Sequence, residues 1–221
     1  MKKLVCCVLA MMMLCVCAAA ENVYVTISDD QGNLVMASEA IDVSDADEDG
    51  AITVYDALYA AHEAAYDGGA AAGFGVENTE YGLSLTKLWG VENGGSYGYY
   101  VNNVSAYSPL DPLKEGDHLQ AFVYTDLEAW SDTYCYFDCL SIETSADFEL
   151  TLTAQTFDAD WNAVLHPIEG AIITVNGNET EFVTDAEGKV VIDLQESGEY
   201  VISAVSDQMT LVPPVCLAKI G

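Results

Sequence analysis

Three aspartates at alternating positions, Asp45, Asp47 and Asp49, are followed directly by Gly50. Carboxylate oxygens are the ligands that hard cations such as Ca²⁺ prefer, and a glycine permits the sharp bend that brings successive ligands onto one ion. The segment 45–56 therefore predicts a calcium-binding loop of the twelve-residue kind. Its predicted ligands, through side chains or backbone carbonyls, are Asp45, Asp47, Asp49, Ala51, Thr53 and Asp56.

The ligand pattern of this loop resembles that of dockerin-type loops, a variant of the EF-hand loop. The resemblance implies an aspartate at the last position, where Asp56 stands, although glutamate is the common residue of EF-hands there. What precedes the loop reads as a strand, so no entering helix is predicted. The alternative is an acidic turn at the start of a helix near Thr53, where aspartates interact favourably with the helix dipole.

Two apparent catalytic motifs lack the structural context that their chemistry needs. Residues 94–98 match G-x-S-x-G around Ser96, but a strand rather than a helix is predicted to follow, which favours a glycine-rich hairpin turn. His62 and Glu63 begin an H-E-x-x-H pattern, but Tyr66 takes the place of the second histidine. We therefore interpret His62 as a helix-surface residue and expect no enzymatic activity.

Aromatic residues are concentrated between residues 81 and 136. Alternation along a strand would put Tyr97 and Tyr99 on one face and Tyr100 on the other, so some of these rings must belong to a core. Rings left outside would form a stacking surface for sugars, flat heterocycles or a protein. The alternative is that β propensity alone explains them. The predicted ligand-binding residues are Tyr81, Trp89, Tyr97, Tyr99, Tyr100 and Tyr107.

The N-terminus has the three parts of a secretory signal peptide, here predicted at residues 1–20. Lys2 and Lys3 precede an apolar run at 4–17, and small alanines end at Ala20. The apolar run is shorter than the ~20 residues that span a bilayer, and no transmembrane segment is predicted. Lipidation at Cys17 is disfavoured because a bulky valine precedes it. The protein is expected to be secreted, extracellular or associated with the cell surface.

The charge of the chain excludes one class of partner. Residues 21–221 contain all 36 acidic residues but only four lysines and no arginine, a formal charge of −32. A chain without a basic patch cannot neutralise phosphates, so nucleic acids are excluded as partners and anionic membrane surfaces are poor partners. Divalent cations are better candidates.

Three cysteines follow the predicted signal peptide: Cys135, Cys139 and Cys216. An odd number cannot pair fully within the chain. If residues 133–141 form one strand, Cys135 and Cys139 lie about 13 Å apart, too far for a disulfide. A bridge from Cys216 to one of them is geometrically open, but buried free thiols are the favoured interpretation.

The order of patterns predicts two domains. In residues 21–140 a β-hairpin precedes one amphipathic helix from Thr53 to about residue 67, a flexible loop at 69–75, and further strands. In residues 141–221 short strands alternate with turns and no helix is predicted, which is typical of a small β-sandwich.

Each predicted domain resembles a known family. The segments 53–58, 81–82, 98–102 and 113–117 resemble the transcobalamin-like C-terminal (β) domain family, found in bacterial surface proteins and vertebrate cobalamin carriers. That resemblance implies an α+β, β-grasp-like fold with one helix on a sheet and, less directly, a corrinoid ligand. The segments 170–175, 184–189 and 198–202 resemble transthyretin-like, Ig-like sandwich modules of the carboxypeptidase-regulatory and collagen-adhesin B types, which are usually spacers or stabilisers.

These features together predict a non-enzymatic, calcium-stabilised, secreted or cell-surface binding protein. Its aromatic surface would bind a small-molecule ligand of the corrinoid or glycan class. The alternative is a structural adhesion module that binds an extracellular protein partner, for example by strand addition at an exposed sheet edge.

Overall fold

The computed structural model describes residues 21–221, and the predicted signal peptide at 1–20 lies outside the described residues. The N-terminal part contains β1 (Glu21–Ser28), β2 (Leu34–Val43), α1 (Val54–Ala65), α2 (Gly69–Gly73), β3 (Gly75–Thr79), β4 (Gly82–Lys87), β5 (Tyr97–Val101), β6 (Val104–Ser105) and β7 (His118–Val123). The C-terminal part contains β8 (Cys135–Phe137), β9 (Ser141–Thr144), β10 (Phe148–Phe157), β11 (Ala163–Pro167), β12 (Ile172–Val175), β13 (Asn178–Val183), β14 (Lys189–Ile192), β15 (Gly198–Val205) and β16 (Cys216–Ile220).

The N-terminal part is built on a five-stranded sheet in the order β2-β1-β7-β5-β6. Strands β1 and β7 run parallel and the other pairs are antiparallel. Helix α1 lies against β1 and β2, and its apolar side is fully buried. The buried positions of α1 recur three and four residues apart, which places them on one helix face. The central residues of this core are Val23, Val25, Ile27, Val54, Ala57, Leu58 and Ala61.

The turn after α1 differs from the sequence prediction. Residues 69–73 were predicted as a loop but form the short helix α2, because the Ala70–Ala72 run has high helix propensity. The small residues also allow close packing, since a Cβ on Gly73 would lie 2.5 Å from the Tyr66 ring. Within residues 21–221, no helix is both long and apolar enough to cross a bilayer.

The C-terminal part is a β-sandwich, which confirms the sandwich prediction and the mostly β character of the chain. One sheet has the order β11-β10-β14, with β8 also paired to β10, and the other has the order β13-β12-β15-β16-β9. Their inner faces share one core, to which Leu150, Leu152, Ile173 and Ile202 contribute. The strand considered at residues 133–141 is divided, since β8 pairs with β10 whereas β9 pairs with β16 in the other sheet.

A third, smaller apolar cluster joins the two parts. It contains Tyr100 and Phe122 from the N-terminal sheet, and Tyr134 and Val212 from the C-terminal part. The Tyr100 and Tyr134 rings stack in parallel with centroids 3.5 Å apart. Two hydrogen bonds also connect the parts: Gln120 Nε2 donates to the Pro213 carbonyl, and the Tyr134 hydroxyl donates to Asn103 Oδ1, each at 2.9 Å.

Candidate functional site

A cleft of about 520 Å³ opens between the β3–β4 hairpin, the start of β5 and residues 107–108. We call it the tyrosine cleft. Its walls contain four of the six predicted ligand-binding residues: Tyr81, Tyr97, Tyr99 and Tyr107. These tyrosines come from three separate segments of the chain, so the fold brings together residues that the sequence placed up to 26 positions apart.

Tyr97 and Tyr99 form the fixed part of the tyrosine cleft. Both lie on one face of β5 and pack against the N-terminal core. The Tyr97 hydroxyl oxygen lies 2.7 Å from the Thr86 carbonyl oxygen and 2.9 Å from that of Val91, which holds its ring in place. Burial raises the pKa of Tyr97 and of Tyr99, and the nearby Asp111 carboxylate adds to the rise at Tyr99. Both hydroxyls therefore stay protonated, and the single proton of Tyr97 is donated to these backbone carbonyls.

Tyr81 and Tyr107 form the exposed part of the cleft. Their side chains are 91% and 84% exposed, although the backbone of each is anchored. The Tyr81 amide donates to Thr79 Oγ1 at 3.1 Å, and the Tyr107 amide donates to Asp111 Oδ2 at 2.7 Å. An anchored backbone with an exposed ring offers a large contact area that loses few rotamers when a ligand binds.

The polar lining of the cleft indicates the charge of a compatible ligand. Hydroxyl groups of Thr79, Ser84, Thr86 and Ser108 lie among the tyrosines, and Glu77 is the one charged residue among the described lining residues. With no lysine among them, the cleft has no side chain to pair with an anionic ligand. Hydroxyls, a carboxylate and aromatic faces together suit a neutral ligand that is rich in hydroxyl groups.

The other two predicted ligand residues lie away from the tyrosine cleft. Tyr100 points to the opposite face of β5, where it is 8% exposed and stacks on Tyr134. Trp89 packs against helix α1, with ring centroids 5.1 Å from His62 and 5.2 Å from Tyr66. Both rings therefore have structural partners within the chain.

His62 was predicted on the helix surface, and this prediction is wrong. The side chain is fully buried, with Nδ1 2.6 Å from the Leu58 carbonyl oxygen and Nε2 accepting the Trp89 amide at 2.9 Å. Burial lowers the pKa of His62, so the ring is neutral. The sequence carried a signal for this position, because His62 follows Leu58 by four residues and therefore shares its apolar face.

Ser96 lies in a glycine turn without the features of a nucleophile elbow. Gly94 and Gly95 have φ of 84° and 96°, a region that glycine enters without steric cost. The Ser96 amide and carbonyl are both bonded to the Asn93 side chain, and strand β5 follows directly. The strands on either side, β4 and β5, belong to different sheets, so the turn does not close the hairpin that the sequence suggested.

The acidic loop brings together three of the predicted calcium ligands. Carboxylate oxygens of Asp45, Asp47 and Asp49 lie within 4.8 Å of one another. Asp45 accepts the amides of Asp49 at 3.1 Å and Gly50 at 2.9 Å, which curls the backbone around it. Gly50 has φ of 95°, which explains the need for glycine there. Partial burial and the neighbouring carboxylates raise the pKa of Asp47.

Asp56, the predicted last ligand, is fully buried and caps helix α1. Its Oδ2 accepts the Thr53 amide at 2.9 Å and the Thr53 hydroxyl at 2.8 Å, while Oδ1 accepts the Ala46 amide at 2.7 Å. Each carboxylate oxygen accepts about two bonds, so only Oδ1 keeps a lone pair for an ion. The donor set thus fits a hard cation at Asp45, Asp47 and Asp49, with Asp56 limited to one oxygen.

A second, larger cleft was not anticipated from the sequence. It has a volume of about 1080 Å³ and lies between the β1–β2 turn and the outer face of strands β12 and β15. Its lining is rich in hydroxyl and amide groups and contains no aromatic side chain among the described residues. Only the packing of the two parts creates it, so no local sequence pattern could have indicated it.

Comparison with protein-family models and with curated proteins finds no match. Among solved structures, the chain is similar to two crystal structures of the N-terminal four Ig domains of Dscam1, isoforms 4.44 and 9.44, with TM-scores of 0.27 and 0.26. Identities are 14% and 12%, and each match covers 66% of this chain but 32% of the Dscam1 chain. Murine CEACAM1b matches with a TM-score of 0.20, 13% identity, and coverage of 68% and 82%. Likeness at these TM-scores carries no functional argument.

Proposed function

We propose that this chain is a non-enzymatic, secreted or cell-surface binding protein whose tyrosine cleft holds a small ligand. The observation that carries the proposal is the convergence of Tyr81, Tyr97, Tyr99 and Tyr107 on one cleft. In this proposal the N-terminal part is a β-grasp-like α+β domain related to the transcobalamin-like family. The C-terminal sandwich supports it through the Tyr100–Tyr134 stack.

The proposed ligand is a neutral glycan. Tyrosine faces stack on the apolar faces of sugar rings, and the hydroxyls of Ser84, Thr86 and Ser108 can bond sugar hydroxyls. A volume of about 520 Å³ falls within the ~300–1,000 Å³ range of small-molecule sites. A corrinoid, the ligand implied by the transcobalamin resemblance, is larger than such a cleft can enclose and would contact it only along one side.

An array of neutral and acidic glycans, together with titration against cobalamin followed by its visible absorbance, separates the two ligand classes. We expect binding to neutral oligosaccharides and neither a spectral shift nor saturation with cobalamin. A saturable cobalamin signal with no glycan bound would replace the glycan assignment by the corrinoid one. Absence of binding to both would refute the small-molecule proposal.

We further propose that Ca²⁺ stabilises the acidic loop. Asp45, Asp47 and Asp49 would hold the ion with the Ala51 carbonyl, Thr53 and one oxygen of Asp56 completing the set. The ion supplies positive charge where three carboxylates repel one another, and it would lock the loop onto the start of α1. The support is the convergence of the three side chains within 4.8 Å.

Thermal unfolding with and without calcium tests this second proposal. At a free calcium concentration of ~100 times Kd, binding adds ~2.7 kcal/mol to the free energy of unfolding. We expect the melting temperature to rise with Ca²⁺, to return with chelator, and to be insensitive to both in Asp45→Ala/Asp49→Ala. The control is Asp158→Ala/Asp160→Ala, which removes two charges from an exposed turn with similar amide bonds, Asp160 and Asn162 to Asp158. A response to Ca²⁺ that disappears in the control as well would contradict the assigned loop.

The adhesion alternative is favoured by one surface of the sandwich. Phe157, Trp161 and Leu165 are 37%, 79% and 55% exposed, and they lie close together on the hairpin of β10 and the edge strand β11. An exposed apolar group beside an unpaired strand edge is a typical protein-binding surface. We expect the wild type to be retained on immobilised extracellular matrix proteins and the double variant Trp161→Ser/Leu165→Ser not to be retained. Val191→Ser, an exposed apolar control on β14, should bind as the wild type does.

A further inference from the structure

Two cysteines that are 77 positions apart in sequence lie in contact. The Sγ atoms of Cys139 and Cys216 are 3.8 Å apart. Their backbones are held together next to the sulfurs, because the Leu217 amide donates to the Leu140 carbonyl at 2.8 Å. The parallel ladder of β9 and β16 begins at the following residues, where Leu217 pairs with Ser141. The contact therefore lies at the start of this ladder, with Cys216 in β16 and Cys139 two residues before β9.

The third cysteine is kept apart from this pair. Cys135 is fully buried in the sandwich core, and its thiol donates to the Val212 carbonyl at 3.2 Å. Burial strongly raises the pKa of this thiol, as it does that of Cys216, so position rather than acidity distinguishes Cys135 from the pair. The odd number of cysteines is thus explained by one thiol bonded to a backbone carbonyl and one pair of thiols in contact.

We propose that the thiols of Cys139 and Cys216 are oxidised to a disulfide bond when the protein is exposed to a disulfide oxidant. A disulfide needs the sulfurs at about 2.05 Å, so the two sulfurs, now 3.8 Å apart, have a short distance left to close. The sequence favoured free thiols for all three residues, and the packing of β9 beside β16 is the observation that changes this interpretation for two of them.

The reaction is a thiol–disulfide exchange in two steps. Cys139 is partly exposed whereas Cys216 is fully buried, so Cys139 is the thiol that an external disulfide can reach. The Cys139 thiolate, its proton lost to solvent, attacks one sulfur of the oxidant and releases the other as a thiolate. Cys216, whose pKa is raised by burial, then loses its proton as it attacks Sγ of Cys139, and it expels the second half of the oxidant as a thiolate. The protein loses two electrons and two protons, and the oxidant is reduced to two thiols.

The bond would connect the junction between β8 and β9 to the last strand of the chain. Everything from β9 to β15 would lie within the closed loop, so the bond would hold β16 to the rest of the sandwich. A cross-link that closes a long loop removes conformations from the unfolded chain. The proposal thus gives the C-terminal part a covalent stabiliser that is independent of the acidic loop.

Peptide mapping without reduction tests the proposal on the purified full chain. After complete reduction and exposure to oxidised glutathione, the protein is denatured, alkylated and digested. We expect a linked pair of peptides containing Cys139 and Cys216, with Cys135 alkylated. Oxidation should also raise the midpoint of thermal unfolding by ~4 °C or more in the wild type and in Cys135→Ser. Neither Cys139→Ser nor Cys216→Ser should show that rise.

Two results would overturn the proposal. One is alkylation of all three cysteines after the glutathione treatment. The other is linkage of Cys135 to either partner in the wild type, which would place the reactive pair elsewhere. The Cys135→Ser variant keeps the proposed pair and removes the third thiol, so a rise in its thermal midpoint on oxidation must come from Cys139 and Cys216.

Discussion

The two faces of strand β5 use tyrosine in opposite ways. On one face, Tyr97 and Tyr99 line an open cleft whose outer wall is formed by exposed rings. On the other face, Tyr100 is covered by the parallel ring of Tyr134. Tyrosines within four positions of one strand thus form a candidate ligand surface on one side and a packing contact between the two parts on the other.

The buried and exposed tyrosines differ in whether other side chains of the protein cover the ring. Phe122, Tyr134 and Val212 cover Tyr100 and exclude water from it, and this burial raises the pKa of Tyr100 to about 12. Tyr81 and Tyr107 have no such cover in the described structure and remain exposed. Aromatic content alone therefore does not identify a binding surface, and the rings without internal partners are the ones to test.

The largest expected loss of stability comes from removing the ring that covers Tyr100, on the buried face of β5. Tyr134→Ala removes the ring stacked on Tyr100 and the hydrogen bond to Asn103. Removing a large buried aromatic side chain costs about 3–5 kcal/mol in the free energy of unfolding. Urea unfolding followed by near-ultraviolet circular dichroism would measure the loss. A cost below ~1 kcal/mol would mean that the stack does not join the two parts.

A slightly smaller effect should follow from pH, through His118 on the same face. His118 is buried, its Nε2 lies 2.8 Å from Thr26 Oγ1, and burial lowers its pKa to about 4. Above pH ~6.5 the ring is neutral in both folded and unfolded chains, so stability is complete. As pH falls from ~6.5 towards 4 only the unfolded chain takes up the proton, which costs up to ~3 kcal/mol.

A neutral replacement isolates this contribution from the many carboxylates. His118→Gln keeps a polar group beside Thr26 but cannot titrate. We expect the slope of unfolding free energy against pH to be flatter for this variant between pH 6.5 and 4. Equal slopes for the variant and the wild type would show that His118 does not control this range.

Gly98 provides an intermediate test of the packing on the buried face. A Cβ added there would lie 2.2 Å from the Phe122 ring, so Gly98→Ala must displace that ring. Overpacking of this kind costs about 1–3 kcal/mol. Gly98 lies outside the positive-φ region, so an alanine there adds no backbone strain and the measurement reports side-chain packing alone. Chemical denaturation with an unchanged midpoint would indicate that Phe122 has room to move.

The smallest stability effect belongs to the exposed rings of the tyrosine cleft. Tyr81→Ala and Tyr107→Ala should each change the free energy of unfolding by less than ~0.5 kcal/mol, because both side chains are almost fully exposed. The same denaturation measurement checks this. A loss of 2 kcal/mol or more would reveal an internal role and weaken their assignment to ligand binding.

Local patterns predicted much of the fold. The apolar spacing after Thr53 predicted helix α1, and the short strands between turns predicted the sandwich in residues 141–221. Alternation along β5 also correctly separated Tyr97 and Tyr99 from Tyr100. These features depend on residues close in sequence, where period and propensity carry the information.

What the sequence could not provide depends on contacts between distant segments. The partner of Tyr100 is Tyr134, and the partner of Cys139 is Cys216. Each pair exists only because whole sheets pack in a particular register. Strands β3 and β11 have no regular apolar alternation, and it is their pairing with β4 and β10 that defines them.

The most direct test of the central claim is titration calorimetry with the neutral glycan that gives the strongest array signal. Tyr81→Ala/Tyr107→Ala removes two exposed rings of the tyrosine cleft, while Tyr24→Ala removes a tyrosine that is 43% exposed and lies outside it. We expect the double variant to bind at least ~5-fold more weakly, because two lost aromatic contacts at ~0.5–1.5 kcal/mol each remove ~1–3 kcal/mol, and Tyr24→Ala to match the wild type. Equal affinity of the double variant and the wild type would contradict the account.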